Sequence, residues 1–544
     1  MNQSWFLSID LQKTEKMKKK YFILPMLLSV VCLPGGISAQ TLSESDTLNK
    51  YILTPKAPET PRINGAKVFG VRQRSKFLYT IPVTGRRPMS FGAENLPAGL
   101  KLDKNTGQIT GKISKQGEYK VELIATNDLG VSKRNFKIIV GDKIALTPPM
   151  GWNSWNCWGS FVSQEKVLSS AKAMVDKGLV NHGWQYINID DGWQGLRGGK
   201  STALMPNRKF PNMKGLADEI HAMGLKIGIY SAPWVGTYGG HIGSYCDNAD
   251  GTYDWVSKYA NENDRYDVGP KQTIEHWVNC HFGKYSFVKN DVQQWADWGI
   301  DYLKYDWYPN DVYHVKEMED ALRSQNRDVV YSLSNRAPYG DAVQFEKMAN
   351  CWRTTNDIND SWKNMSGIGF NQSKWASYTG PGHWSDADML VVGMVGWGPS
   401  LHRSHLTADE QYTHISLWSM LSSPLLIGCD ISRLDDFTIN LLTNDEVIDV
   451  NQDPLGKQAM VVAESGDVVV YAKPLEDGSM AVGLFNRGIS NTKGSVTWEE
   501  LGIRGEQKVR DLWRQQDVAE SSKEFTTDLA PHGVRLVKVY PGNK

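Results

Sequence analysis

The stretch Gly299-Ile300-Asp301-Tyr302-Leu303-Lys304-Tyr305-Asp306-Trp307 decides how this chain is read. A glycine opens a short apolar run that closes on a lysine and an aspartate two residues apart. That is the pattern of a buried β-strand with its polar groups gathered at the C-terminal end. Positions i and i+2 of a strand share a face, so Lys304 and Asp306 point the same way. A cation that close favours the ionised carboxylate, which makes Asp306 an expected anion and a candidate nucleophile. A structural ion pair at a strand end gives the same local pattern, so the choice rests on the flanking sequence.

Outward from this strand, from residue 146 to about 458, short apolar runs alternate with amphipathic helical stretches, the texture of repeated βα units. The expected strands are 150–153, 186–190, 226–230, 302–306, 329–333, 351–354, 383–386 and 425–428. Helices are expected over 164–177, 213–223 and 292–298. Eight such units predict a central (β/α)8 TIM barrel, whose active site lies at the C-terminal strand ends. The residues there are polar or aromatic: Trp155, Asp190, Asp191, Tyr230, Lys304, Asp306, Arg353, Asp357 and Asp388. Each alone fits a cap or a loop; the barrel brings all of them to one face. The long insertion 236–289 after the third strand is a lid, a subsite wall or a spacer, and its tryptophans and tyrosines favour a wall over disorder.

On either side the pattern is short alternating strands. Residues 50–143 read as an Ig-like β-sandwich and 459–544 as a C-terminal antiparallel β-sandwich, with the barrel over 145–458. The run Leu96-Pro97-Ala98-Gly99-Leu100-Lys101-Leu102-Asp103 followed by Thr106-Gly107-Gln108-Ile109-Thr110-Gly111 resembles the immunoglobulin-like modules of secreted bacterial proteins. Residues 1–39 form an export signal: Lys18-Lys19-Lys20, an apolar run over 21–33, and Gly36-Ile37-Ser38-Ala39 as a cleavage site before Gln40. Met17 is the natural start of such a peptide. The apolar run is too short to span a bilayer, so the chain is expected in the periplasm or outside the cell, without a membrane span.

Composition narrows the partners. The chain has 544 residues, a formal net charge of zero and 20 Trp, which argues against nucleic acid and suits a neutral, stackable ligand such as a sugar. Past the export signal five Cys remain (157, 246, 280, 351, 429), scattered and odd in number, so at most one or two bridges are expected. None has metal-ligand spacing with His, and neither a zinc site nor a cofactor is expected.

A glycosidase nucleophile needs a second carboxyl, about 5–5.5 Å away in retaining enzymes. Asp357, in Trp352-Arg353-Thr354-Thr355-Asn356-Asp357, follows the sixth strand and reaches the same rim as Asp306. Asp360 competes with it, but Asp360-Ser361 reads better as a helix N-cap pair.

Several motifs carry a resemblance. Pro148-Pro149-Met150-Gly151-Trp152-Asn153-Ser154-Trp155, Ile189-Asp190-Asp191-Gly192-Trp193, Gly224-Leu225-Lys226-Ile227-Gly228-Ile229-Tyr230, Leu303-Lys304-Tyr305-Asp306, Asp386-Ala387-Asp388-Met389-Leu390 and Asn451-Gln452-Asp453-Pro454-Leu455-Gly456-Lys457-Gln458 are similar to those of glycoside hydrolase family 27. That family holds the α-galactosidases and α-N-acetylgalactosaminidases. The resemblance implies an exo-acting, retaining α-galactosidase working by double displacement on an oligosaccharide or glycoconjugate with a terminal α-galactosyl-type sugar. Asp306 is then the nucleophile and Asp357 the general acid/base. Asp190 and Asp191 accept from the distal hydroxyls, Lys304 donates near C3 and C4, and Arg353 donates on the O2 side. Trp155 and Tyr230 form platform and wall, and Asp388 and Met389 the floor. Carboxylates bind vicinal hydroxyls, Arg and Lys only donate, and an aromatic face stacks on galactose, so the residue types suit these roles.

The chain departs from the family pattern in Tyr331-Ser332-Leu333-Ser334-Asn335-Arg336-Ala337. Members that prefer plain galactose commonly carry Glu at the position of Ser334 and Leu at that of Ala337, whereas members accepting a 2-acetamido group carry Ser and Ala. Smaller side chains make room for the acetamido group, which keeps α-N-acetylgalactosaminidase as an alternative, with Arg336 available to fill the gap. A β-L-arabinopyranoside, galactose without its C6 arm, is a third substrate in the series. The cysteine bridge that brackets the nucleophile loop in many relatives has no partner here, since Trp307 and Tyr308 follow Asp306. The rivals from other classes are a metal-dependent lyase or isomerase with Asp190, Asp306 and Asp388 as ligands, and a non-catalytic sugar-binding protein.

Overall fold

The computed structural model describes residues 48–255 and 278–541. The expected export segment, with its start at Met17, lies outside the described residues, as do residues 256–277 of the insertion. Among the described residues no helix is long and apolar enough to cross a membrane.

The helix that feeds the central strand, Val288–Trp298, buries Val288, Asp291, Val292 and Trp295 on one face. It begins a turn before the expected 292, because a charged residue on its inner face, Asp291, hides the apolar period. That carboxylate is fully buried against the Arg197 guanidinium at 2.6 Å. The helix ends at Gly299, whose φ of +94° suits a residue without Cβ. From there the chain enters the strand Tyr302–Asp306.

Eight parallel strands make the barrel: β1 (Met150–Asn153), β2 (Tyr186–Asn188), β3 (Lys226–Ser231), β4 (Tyr302–Asp306), β5 (Val330–Ser334), β6 (Cys351–Arg353), β7 (Trp384–Asp386) and β8 (Leu425–Ile427). The sheet runs β7-β6-β5-β4-β3-β2-β1-β8. It closes where the chain leaving β7 bridges β8, Leu390 pairing in parallel with Ile427 and donating its N–H to the Leu426 carbonyl at 2.8 Å. Period-2 alternation then divides the side chains. Ile187, Ile227, Ile229, Leu303, Tyr305, Leu333 and Trp352 pack outward with the helices. Tyr186, Tyr302, Val330, Cys351 and Trp384 form a separate inner layer at the N-terminal end. One step further along the same inner face stand Asn188, Lys304 and Ser332, and beyond them Asp306 and Ser334.

The N-terminal strands form a four-stranded sheet (Val68–Val71, Ser90–Glu94, Gly117–Asn127, Gly130–Val140) over a three-stranded one (Phe77–Thr80, Leu100–Leu102, Gln108–Gly111), with Ile109 and Ile138 wholly buried between them. This sandwich grips the floor of the barrel. Arg72 donates to Asp328 at 2.7 Å and to the Arg323 and Gln325 carbonyls at 2.9 and 3.0 Å, and Thr80 Oγ1 donates to the Gly224 carbonyl at 2.8 Å. At the other end of the chain, a two-stranded sheet covers one face of a six-stranded antiparallel sheet, whose other face packs against the helix Ala408–Met420. Trp513 Nε1 reaches Ser416 Oγ at 2.8 Å across that contact, and Thr413 Oγ1 donates to the His532 carbonyl at 2.6 Å. None of the five described cysteines is bridged, so the one or two disulfides allowed by the sequence are not formed among them.

Candidate active site

The strand ends deliver polar side chains to one mouth. Lys304 Nζ lies 2.8 Å from Asp190 Oδ2, which also accepts from Asn153 Nδ2 at 2.9 Å. The other Asp190 oxygen takes the Asp191 N–H at 2.9 Å, so the Asp-Asp pair after β2 is locked by its own backbone. Asp191 is buried, which alone would raise its pKa. The His241 imidazole at 3.2 Å, Thr237 and the Gly239 N–H at 2.7 Å outweigh burial and hold the carboxyl below the usual carboxylate range.

Asp306 corrects the expectation drawn from its neighbour. Lys304 does not keep it strongly ionised, because burial dominates: desolvation raises Asp306 to about 7 against the pull of Lys304, and the charges of Asp357 and Asp190 push the same way. The Lys304 ammonium is committed to Asp190, a bond that strand-level reasoning does not foresee. Asp306 is 6 % exposed and its Oδ1 has no hydrogen-bond partner.

Asp357 has the opposite character. Its side chain is 63 % exposed at the rim and accepts from Arg353 Nη2 at 2.9 Å. Crowding in the mouth raises its pKa, but Arg353 and Lys304 prevail and hold it below the ordinary value. The same guanidinium reaches Asp388 Oδ1 at 3.0 Å through Nη1. Asp388 takes a left-handed backbone (φ +78°), with its N–H on Asp386 Oδ1 at 2.7 Å and its Oδ2 on the Ile358 N–H at 2.8 Å. Arg353 thus fixes the loop that carries Asp357.

Ser334 pairs in register with Asp306 on the neighbouring strand; it is buried and its Oγ has no partner. Ala337 is buried too, its N–H on the Arg353 carbonyl at 2.7 Å. Arg336 does not fill the space beside them: it is exposed, and its guanidinium lies over the Tyr308 ring at 4.0 Å. Trp155 is half-buried on the short helix Trp155–Trp158, Tyr230 is buried with Lys304 Nζ 5.5 Å from its ring centre, and Met389 is buried behind Asp388. Asp360 is not a cap. Ser361 caps the helix Trp362–Gly369, while Asp360 is buried and accepts the His405 N–H at 2.9 Å.

Sequence reasoning missed the residues that the insertion contributes. Tyr238 stands beside both carboxylates: its phenol is raised by burial and further by the charges of Asp306, Cys280 and Asp357. Burial and the charges of Asp191 and Asp306 push Cys280 up to about 12. The available signal was Tyr238-Gly239-Gly240-His241, since a Cβ on Gly239 would stand 2.7 Å from Asp191 Oδ2 and only glycine lets that backbone donate. Across β3–β6 the mouth also gathers buried polar atoms without a hydrogen-bond partner: Tyr230 Oη, Asp306 Oδ1, Ser334 Oγ, Asn335 Oδ1 and Arg353 Nε. Buried polar groups are normally paired, so this concentration marks a place built for a polar ligand.

A barrel with a buried carboxyl and an exposed one at its C-terminal mouth belongs with the enzymes of glycoside chemistry. The family model described as alpha galactosidase A matches residues 147–275 and 265–453, and the model of the alpha galactosidase C-terminal beta sandwich domain matches 465–539. An Ig-domain model matches 60–141. The alpha-galactosidase of Cyamopsis tetragonoloba is 36% identical over 73% of this chain and 87% of its own length. A Bacteroides fragilis structure, provisionally named an alpha-galactosidase/melibiase, superposes with a TM-score of 0.78 at 33% identity, covering 91% of this chain and all of that one. The β-L-arabinopyranosidase of Geobacillus stearothermophilus superposes with a TM-score of 0.61 at 31% identity, covering 73% of this chain and 97% of its own. The chain belongs to glycoside hydrolase family 27, the alpha-galactosidase family, and is a glycoside hydrolase.

Proposed function

We propose that the protein is a retaining exo-α-galactosidase that removes terminal α-D-galactosyl residues by double displacement. The observation that carries this reading is Asp306, buried at the end of β4 with an unpartnered oxygen and electrically coupled to the exposed Asp357. An Asp306 oxygen attacks the anomeric carbon while Asp357 gives its proton to the departing glycosidic oxygen. The bond to the aglycone breaks and a glycosyl ester of Asp306 forms. Asp357, now a carboxylate, takes a proton from water, whose oxygen displaces Asp306 from the anomeric carbon.

Burial favours the protonated form of Asp306, whereas Arg353 and Lys304 favour the ionised form of Asp357, so a proton between the two prefers Asp306. Catalysis needs it on Asp357. A sugar whose 2-hydroxyl takes the Arg353 donors removes the cation that keeps Asp357 ionised, while charge developing at the anomeric carbon favours Asp306 as the anion. Asp190, Asp191 and Lys304 receive the hydroxyls remote from the reacting carbon. Trp155 and Tyr230 offer the apolar face, and Asp388 with Met389 closes the floor.

A second reading has an observation of its own. Ser334, beside Asp306, and Ala337, against the Arg353 carbonyl, are small and buried, which favours a 2-acetamido sugar and hence α-N-acetylgalactosaminidase activity. The similarity to an arabinopyranosidase keeps β-L-arabinopyranosides in the comparison. The test is to assay 4-nitrophenyl α-galactoside, α-N-acetylgalactosaminide and β-L-arabinopyranoside side by side. The α-galactoside is expected to be cleaved fastest; appreciable hydrolysis of the acetamido sugar alone overturns the first reading in favour of the second.

A further inference from the structure

Beside the sugar pocket, Asp360 on the loop leaving β6 meets His402, in the second strand of the pair Met394–Val395 and His402–Arg403, and His405 just after it. One ring nitrogen of each imidazole and one Asp360 oxygen all lie within 4.8 Å of one another. His405 Nδ1 is 3.0 Å from Asp360 Oδ2, and the two imidazoles stack with centres 4.5 Å apart. Asp360 is only 7% exposed, and its Oδ2 accepts the His405 N–H at 2.9 Å and lies 3.8 Å from His402 Nδ1. His402 Nδ1 also lies 2.8 Å from the Arg403 carbonyl.

We propose that Asp360, His402 and His405 form a binding site for a zinc-type divalent transition ion, with water completing the coordination shell. Ligand atoms around tetrahedral zinc stand about 3.3 Å apart, so the cluster must contract by at most about 1.5 Å. Both imidazole side chains are exposed, 41% and 70%, above the buried carboxylate. Such an ion staples the loop that bears Asp357 to the segment 402–405. It takes no part in bond breaking, because neither His402 nor His405 belongs to the sugar pocket.

The experiment uses the untagged full chain, stripped with a chelator and titrated with Co2+ and then Zn2+. Expected is one Co2+ per chain with the visible absorption of a low-coordinate cobalt–imidazole site, displaced by Zn2+. The double variant His402→Ala/His405→Ala loses that absorption and binds Zn2+ at least about tenfold more weakly. His405→Gln, whose amide can keep a hydrogen bond to Asp360, loses it as well. Glycoside hydrolysis persists in the stripped parent and in both variants, which shows them folded. The absence of a cobalt spectrum at stoichiometric loading, or undiminished Zn2+ binding by the double variant, overturns the assignment.

Discussion

Replacing Asp306 with Asn should stabilise the protein, and by an amount that depends on pH. The native carboxyl is raised to about 7, against an ordinary Asp value of about 3.9 in the unfolded chain. A raised native value means that the folded state prefers the protonated form. No penalty exists below about pH 4; between there and the native value each pH unit costs about 1.4 kcal/mol, and the cost levels off above it. The plateau is about 4 kcal/mol, and the conversion is justified because the side chain is 6% exposed. The amide that Asp306→Asn introduces keeps the shape and never ionises. Parent and variant should therefore unfold alike near pH 4, with the variant ahead by roughly 1–3 kcal/mol at pH 6 and by up to about 4 kcal/mol at pH 8. Denaturant unfolding followed by tryptophan fluorescence at these three pH values reads the difference. A gap that does not change with pH refutes the reasoning, as does a variant less stable than the parent at pH 8. The same substitution should abolish turnover while leaving galactose affinity within about tenfold.

The shared proton of Asp306 and Asp357 predicts that kcat/KM falls as pH rises through about 7, where the pair loses it; a flat pH–rate profile across neutral and weakly alkaline pH contradicts this. Lys304→Met leaves Asp190 buried without its cation and should destabilise the chain by about 3–5 kcal/mol in unfolding measurements. It also removes a downward pull on Asp306, so the alkaline limb should move up in the same rate profile. Ser334→Glu combined with Ala337→Leu should lower hydrolysis of the acetamido sugar relative to the galactoside by at least about tenfold. An unchanged ratio between the two substrates would remove these positions from the 2-substituent pocket.

How legible the molecule was depended on whether the information lay along one strand or between several. Tyr302–Asp306 was readable because Gly299 stops a helix and the apolar run that follows is bounded by charge. All eight barrel strands could be placed on the same grounds, with ends displaced where the chain peels away at the rim. What Lys304 does was not readable, since its partner Asp190 comes from a strand two places away in the sheet and depends on register. Nor could composition reveal that desolvation outweighs a neighbouring cation at Asp306, because burial is a property of the assembled barrel. The start of the helix at Val288 was hidden by Asp291, whose partner Arg197 lies far back in the sequence. Tyr238 and His241 sit in an insertion with no period of its own; only the paired glycines between them hinted at a close backbone approach.

The N-terminal sandwich is clamped by Arg72 and Thr80 to the end of the barrel opposite the mouth. A ligand entering the mouth therefore does not have to pass the module. Exchanging or lengthening the sandwich should leave the residues of the mouth where they are.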